Sequence, residues 1–301
     1  MDARVAVFAP SPQLTITVED LDGDPDVHLH AGGQGFWQSR MIAALGVEVV
    51  VCAAFGGETG RVLRALLEDE NVALRWHEVT ARNGSYVHDR RDGHRSEMVE
   101  MPPDPLPRHE LDDLYESTLV EGIRAGTAVL SGPSDDRVLP PETYFRLTSD
   151  LAGNDCRVIV DLSGERLAEA IRGGPHVVKV SHEELGAEEL PDLVRACRKI
   201  ASSGVHAVVV SRADEPALAL LEDQFYLVRM PRLEPVDTRG AGDSMTAGIS
   251  AGLALGMPLE DAVKLGAAAG AVNVTRHGLG SGGGEAVREL SDRVELEPIE
   301  E

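Results

Sequence analysis

Pro235-Val236-Asp237-Thr238-Arg239-Gly240-Ala241-Gly242-Asp243-Ser244-Met245 is the stretch on which the reading of this chain turns. An Asp-Thr pair leads into a Gly-Ala-Gly turn, an aspartate follows, and a helical pattern begins with Met245, Ile249 and Leu253 at four-residue spacing. Small residues let backbone approach a ligand closely. The first turn of a helix leaves N–H groups without internal acceptors, and the helix dipole adds partial positive charge there. A glycine-rich turn opening a helix is therefore an anion site, most often for phosphate. A carboxylate inside such a turn is poorly suited to holding phosphate alone. It makes chemical sense as a base beside a phosphoryl group in transfer. The plainer reading, an aspartate charge at a helix start, needs no Gly-x-Gly before it.

Asp237-Thr238-x-Gly240-Ala241-Gly242-Asp243 resembles the C-terminal signature of the ribokinase-like (phosphofructokinase B) carbohydrate kinases. Ala31-Gly32-Gly33-Gln34-Gly35 opening one helix and Gly56-Gly57-Glu58-Thr59-Gly60 opening another extend the resemblance to nearly the whole chain. It is most similar to the 1-phosphofructokinase and tagatose-6-phosphate kinase branch. The resemblance implies a three-layer α/β/α domain spanning 1–301, a mainly parallel central sheet and a small β-sheet lid.

The periodicity agrees with that class. Val47 to Ala53 is an apolar run of the kind buried on both sheet faces. From residue 111 helical and strand-like segments alternate, ending in two helices at 242–255 and 259–275. Such alternation implies a parallel sheet covered on both sides, with ligands at the carboxyl ends of its strands. Residues 11–30 alternate at Leu14, Ile16 and Val18, and 84–101 contain Arg91-Asp92-Gly93 between extended segments, a hairpin signal. Together they predict a small separate sheet, which in the resembling family is a lid over the sugar and a homodimer contact. The acidic end, 295–301, reads as frayed.

Lysine and arginine number 28 against 51 aspartate and glutamate, for a net charge of −23 over 301 residues. That disfavours nucleic acid and anionic membranes as partners, since both need clustered basic residues. A phosphorylated substrate would have to be met by helix termini, a few arginines and Mg²⁺. Cys52, Cys156 and Cys197 are far apart and in no metal spacing, and read as small buried residues in a reducing compartment. No run approaches the roughly 20 apolar residues of a membrane span. A cytoplasmic protein is expected.

If a sugar hydroxyl attacks the γ-phosphate of ATP, the amides around Gly240, Ala241, Gly242 and Asp243 stabilise the phosphoryl oxygens, and Asp243 takes the proton. The resemblance adds the other candidates. Asp237 is linked to a monovalent cation beside the anion hole, or else bonds its own backbone. Lys179-Val180-Ser181-His182-Glu183-Glu184 resembles the family's Asn-x-x-Glu element, with Ser181 in place of Asn and Glu184 organising water on Mg²⁺. Nucleotide contacts are expected from Lys179, Ser211, Arg212, Thr238, Gly270 and Asn273, although tight helix packing explains the Gly/Ala run around Gly270 equally well.

The acceptor pocket departs from the family pattern. Gly-Gly-Lys-Gly-x-Asn is here Gly32-Gly33-Gln34-Gly35-Phe36-Trp37, and Asn-Pro-x-x-Asp is Ala9-Pro10-Ser11-Pro12-Gln13. Glutamine removes a charge, and Trp37 replaces an amide that would bond sugar hydroxyls. Gly32, Gly33, Gln34, Gln13, Trp37 and Arg82 are the acceptor-site candidates, with Arg90, Arg91 and Arg95 as further lid cations. Three readings stay open: a sugar or sugar-phosphate kinase, a nucleoside kinase of the same fold with Trp37 stacked on the base, and a degenerate nucleotide- or metabolite-binding regulator.

Overall fold

The computed structural model describes residues 3–68, 70, 72–231, 233–276 and 280–300. Strand β1 (Arg4–Ala9) is followed by a hairpin of β2 (Gln13–Leu21) and β3 (Asp24–Gly32). Helix α1 (Gln34–Ala44) leads to β4 (Glu48–Gly56), α2 (Gly57–Glu68) and β5 (Ala73–Val79). A second hairpin, β6 (Ser85–Asp89) and β7 (Ser96–Met101), precedes α3 (Arg108–Ala125), β8 (Thr127–Ser131), α4 (Glu142–Ala152), β9 (Arg157–Asp161), α5 (Gly164–Arg172), β10 (Val177–Ser181), the short α6 (His182–Leu185), α7 (Leu190–Ala201) and β11 (Ala207–Arg212). The chain closes with β12 (Glu215–Leu221), β13 (Gln224–Arg229), α8 (Ala241–Ala254), α9 (Leu259–Val274), α10 (Gly284–Ser291) and β14 (Glu295–Ile299).

Among the described residues the large sheet runs β14-β13-β12-β11-β10-β9-β8-β1-β4-β5. From β11 to β5 its neighbours are parallel; β12, β13 and β14 join antiparallel. The parallel strands are apolar throughout because both faces are covered. Val5, Ala6, Val7 and Phe8 all have no exposed surface. One core cluster joins the sheet to α1, α2, α8, α9 and α10, and the other joins it to α3, α4, α5 and α7. The expected three-layer α/β/α architecture results.

Helices α8 and α9 pack through glycines. A β-carbon on Gly248 would lie 2.7 Å from the Gly266 α-carbon, and one on Gly252 would lie 2.8 Å from the Ala262 α-carbon. That close approach fixes where α8 begins, at the carboxyl edge of the sheet.

The small sheet runs β3-β2-β6-β7. Its register puts Thr15, Thr17, His28, His30, Tyr86 and His88 on one face, and Ile16, Val18, Val27, Leu29 and Val87 on the other. The acidic stretch between β2 and β3 tightens to a two-residue turn, Asp22-Gly23, with φ 57° and 93°. The chain crosses between the sheets at Asn83. Its buried amide donates to Pro12 O (3.1 Å) and Ala54 O (3.0 Å) and accepts from Gly56 N (2.8 Å).

Two expectations are corrected, and one strand was not foreseen. The acidic end is not frayed over 295–299: it pairs with β13, held by the Arg229–Glu297 ion pair, with Leu296 and Ile299 packed against the core. Helix α10 and β14 follow the two helices expected to finish the fold. Strand β5 also lies outside the sequence reading, at the sheet edge.

Candidate active site

Helix α8 starts at Gly240, whose φ of 74° lies in the left-handed region that glycine adopts without strain. The first amide to close on the helix is that of Ser244, which donates to Gly240 O at 2.9 Å. The N–H groups of Ala241, Gly242 and Asp243 come before it and have no intrahelical acceptor. The approach loop is anchored to the end of α9: the Val236 and Asp237 amides donate to Val274 O at 2.7 and 3.1 Å. Asn273, 1% exposed, donates to Arg239 O at 2.7 Å and accepts from Gly280 N at 3.1 Å. A β-carbon on Gly270 would lie 2.9 Å from Ala241 O, so Gly270 is where α9 touches the turn.

Behind the turn lies a buried polar network. Asp161, at the carboxyl end of β9 and 2% exposed, accepts from Thr246 Oγ1 (2.7 Å), Gln38 Nε2 (3.1 Å) and Lys179 Nζ (3.3 Å). Gln38 in turn accepts from Ser131 Oγ at 2.6 Å. One turn earlier on α1, Gln34 accepts from Gly132 N at 2.8 Å and hydrogen-bonds the Asp243 carboxyl. The Lys179 amine reaches the anion turn itself, for a β-carbon on Gly242 would lie 2.5 Å from Nζ. Glycine at 242 thus makes room for a cation beneath the helix mouth.

The charges are set against one another. Burial and the nearby Asp161 push the Asp243 carboxyl up to about 7, against Lys179 and the Gln34 hydrogen bond, which pull it down; Glu184 adds a smaller upward push. Burial draws the Lys179 ammonium down, but Asp161, Asp243 and Glu184 together hold it above the ordinary lysine range. A carboxylate that titrates near neutrality, with bare amides and an ammonium beside it, suits proton abstraction next to a developing negative charge.

The remaining sequence candidates sort by position. Gln13, Gly32, Gly33 and Trp37 gather where the small sheet meets α1. Gln13 pairs with Gly32 in the ladder, and a β-carbon on Gly32 would lie 3.5 Å from the Trp37 ring. Gln13 is 6% exposed, and its Nε2 has no hydrogen-bond partner among the described residues. Arg82 stands apart, clamped to Asp104 at 2.9 and 3.2 Å. Arg91 pairs with Asp89, and Arg95 lies over the Tyr86 ring. Arg90 crosses from the small sheet to Asp237 at 3.4 Å, and Asp237 also takes the Arg239 amide and guanidinium at 3.1 and 3.3 Å.

Glu184 closes a capping box on α6, accepting the Ser181 amide at 2.7 Å, and stays exposed. Ser211 and Arg212 end β11, where Arg212 donates to Pro216 O at 3.3 Å. Thr238 is exposed in the approach loop. Asp161, Gln38, Thr246 and Asn83 escaped the sequence reading. A charged residue closing an apolar parallel strand, Val158-Ile159-Val160-Asp161, was the available signal for the first. The three cysteines are buried and unbridged, with thiols pushed up to about 12 by burial.

The model of the pfkB family carbohydrate kinases matches residues 8–284. The chain is similar to the ATP-dependent 6-phosphofructokinase isozyme 2 of Escherichia coli, at 35% identity over 82% of both chains. It is also similar to the 1-phosphofructokinase of Bacillus subtilis, at 28% identity over 89% of this chain and 88% of that one. The crystal structure of phosphofructokinase-2 from E. coli in complex with potassium superposes with a TM-score of 0.86 at 28% identity, covering 97% of this chain and 99% of the other.

Proposed function

This chain belongs to the pfkB family of carbohydrate kinases, and we propose that it transfers the γ-phosphate of ATP to a hydroxyl of a ketohexose phosphate. The observation that carries the reading is Asp243 at the mouth of α8, beside three bare amides and over the Lys179 amine. The acceptor oxygen bonds to the γ-phosphorus as the bond from that phosphorus to the β,γ-bridging oxygen breaks. ADP leaves with the electron pair, and the hydroxyl proton passes to Asp243. The amides of 241–243 and Lys179 meet the charge on the phosphoryl oxygens.

Two similar proteins are named for phosphorylating fructose phosphates, which points to an acceptor of that class. Gln13, Gly32, Gly33 and Trp37 line its side of the cleft. The small sheet acts as the lid, with its polar face of Thr15, Thr17, His30, Tyr86 and His88 inward and Arg90 reaching the substrate phosphate. The apolar face exposes Val27, Leu29 and Val99 and is the surface on which two copies would pair.

Among the described residues no cluster of metal-ligating side chains forms a cage. Mg²⁺ needs none, since it travels on nucleotide phosphates and asks for one or two carboxylates and water. Glu184, with one oxygen on the Ser181 amide and the other open to solvent, fits that role. Mg²⁺ would neutralise charge on the β- and γ-phosphates. A monovalent cation at Asp237 would have to displace Arg90 or Arg239, so turnover in K⁺ against Na⁺ tests it.

The test is ADP release with Mg²⁺-ATP over a panel of hexose phosphates, free sugars and nucleosides. A hexose phosphate is expected to give the highest kcat/KM. Preference for a nucleoside, or nucleotide binding without turnover on any acceptor, would overturn the proposal.

A further inference from the structure

The network behind the anion turn has more groups than proton transfer alone requires. Lys179 stands between two carboxylates, Asp161 at 3.3 Å and Asp243 across the glycine of the turn. A buried ammonium pairs with whichever carboxylate is better placed, and an aspartate that owns an ion-pair partner is a poor base. Asp161 is the better placed of the two. It is held from three elements, by Gln38 of α1, Thr246 of α8 and Lys179 of β10, and it is almost wholly out of water.

We propose that Asp161 is a positioning residue for phosphoryl transfer: it is the resident counter-ion of Lys179, pinning the ammonium beneath Gly242 and leaving Asp243 unpaired and able to accept the hydroxyl proton. The proposal rests on the kinase reading for its consequence but not for its geometry. The spacing of the two glutamines expresses the division of labour. Gln34 and Gln38, one helical turn apart, bear on Asp243 and Asp161 separately. The charged and polar side chains that bear on Asp243 are then Asp161 from β9, Lys179 from β10, Glu184 from α6 and the neutral Gln34 from α1.

Without Asp161, Lys179 turns to Asp243. A like charge is lost and an opposite charge gained, and both changes pull the proton off Asp243 at lower pH. The expected shift of its titration midpoint is at least about one pH unit downward. Turnover falls by about 10- to 100-fold, less than outright loss of a general base would cost, while acceptor KM stays within about threefold.

The experiment is a carboxyl ¹³C NMR titration of aspartate-labelled free protein, with Asp243 assigned by loss of its signal in Asp243→Asn. Wild type and Asp161→Asn are compared, with Asp161→Ser as a second variant that keeps a hydroxyl for Gln38 and Thr246. A midpoint near neutrality in wild type that drops in either variant, and that recovers when Lys179→Met is added, supports the proposal. A midpoint unmoved by removing Asp161 overturns it. The pH profile of kcat, run in parallel, should show its acid limb moving the same way. Wild type that turns over no acceptor would sink the kinase reading, and the NMR titration would still decide the role of Asp161.

Discussion

Replacing Asp243 by asparagine should make the protein inactive and more stable at once, and the size of the second effect follows from the site. In the fold, burial and Asp161 push this carboxyl up to about 7, against an ordinary value near 4. The folded state therefore holds the proton more tightly than the unfolded chain. Stability tied to this group is complete below about pH 4 and is lost as pH rises through about 7. At about 1.4 kcal/mol per pH unit, the ionised carboxylate costs the fold roughly 4 kcal/mol above neutrality as an upper bound. Asp243 is half-buried rather than sealed, and solvent in the cleft reduces the figure to about 2 kcal/mol. For a chain of this length that is a rise in Tm of about 4 °C. The assay is paired calorimetry or urea denaturation of wild type and Asp243→Asn. At pH 8.5 the variant should be the more stable, and at pH 5 its advantage should be smaller. A variant no more stable than wild type at pH 8.5, or a gap that ignores pH, would refute the electrostatic account of the base.

Three further perturbations probe the rest of the architecture. Gly242→Ala puts a β-carbon 2.5 Å from Lys179 Nζ, the mobile end of a side chain; turnover should fall at least about tenfold while Tm moves by only a few degrees. Gly56→Ala meets backbone instead, with Ala81 O at 2.1 Å and Val79 O at 2.5 Å, so urea denaturation should show a loss of about 2 kcal/mol or more. Gln34→Lys brings an ammonium to the Asp243 carboxyl, and the acid limb of the kcat profile should move to lower pH.

Most of the large sheet was legible because strands buried on both faces leave unbroken apolar runs, as Val47 to Ala53 does. The edges were not. Strand β5 carries Arg75, His77 and Glu78 and is half-exposed, so it lacks the apolar signature; it exists because β4 offers it a ladder. Strand β14 is acidic by composition, yet Leu296 and Ile299 pack against the cores on opposite faces of the sheet once β13 lies alongside. In the site, the 237–243 motif stood out because helix-opening glycines have a local physical meaning. Asp161 offers only its place at the end of an apolar strand, where an aspartate also reads as the start of a turn. Only the convergence of Gln38, Lys179 and Thr246 from three separate elements marks it. Gln34 and Asn273 show the same limit. Within the fold Gln34 reaches Gly132 and Asp243, and Asn273 ties Arg239 to Gly280, partners that no local pattern announces.

The proposed reaction has Asp243 take a proton from a phosphorylated sugar as ATP gives up its γ-phosphate. Its most direct test is ³¹P NMR of the purified protein with Mg²⁺-ATP and fructose 6-phosphate, fructose 1-phosphate or tagatose 6-phosphate, alongside Asp243→Asn. Wild type should form a new sugar phosphomonoester in step with ADP, and the variant should do so at a rate at least about 100-fold lower. A variant that forms the same ester at a comparable rate would contradict it.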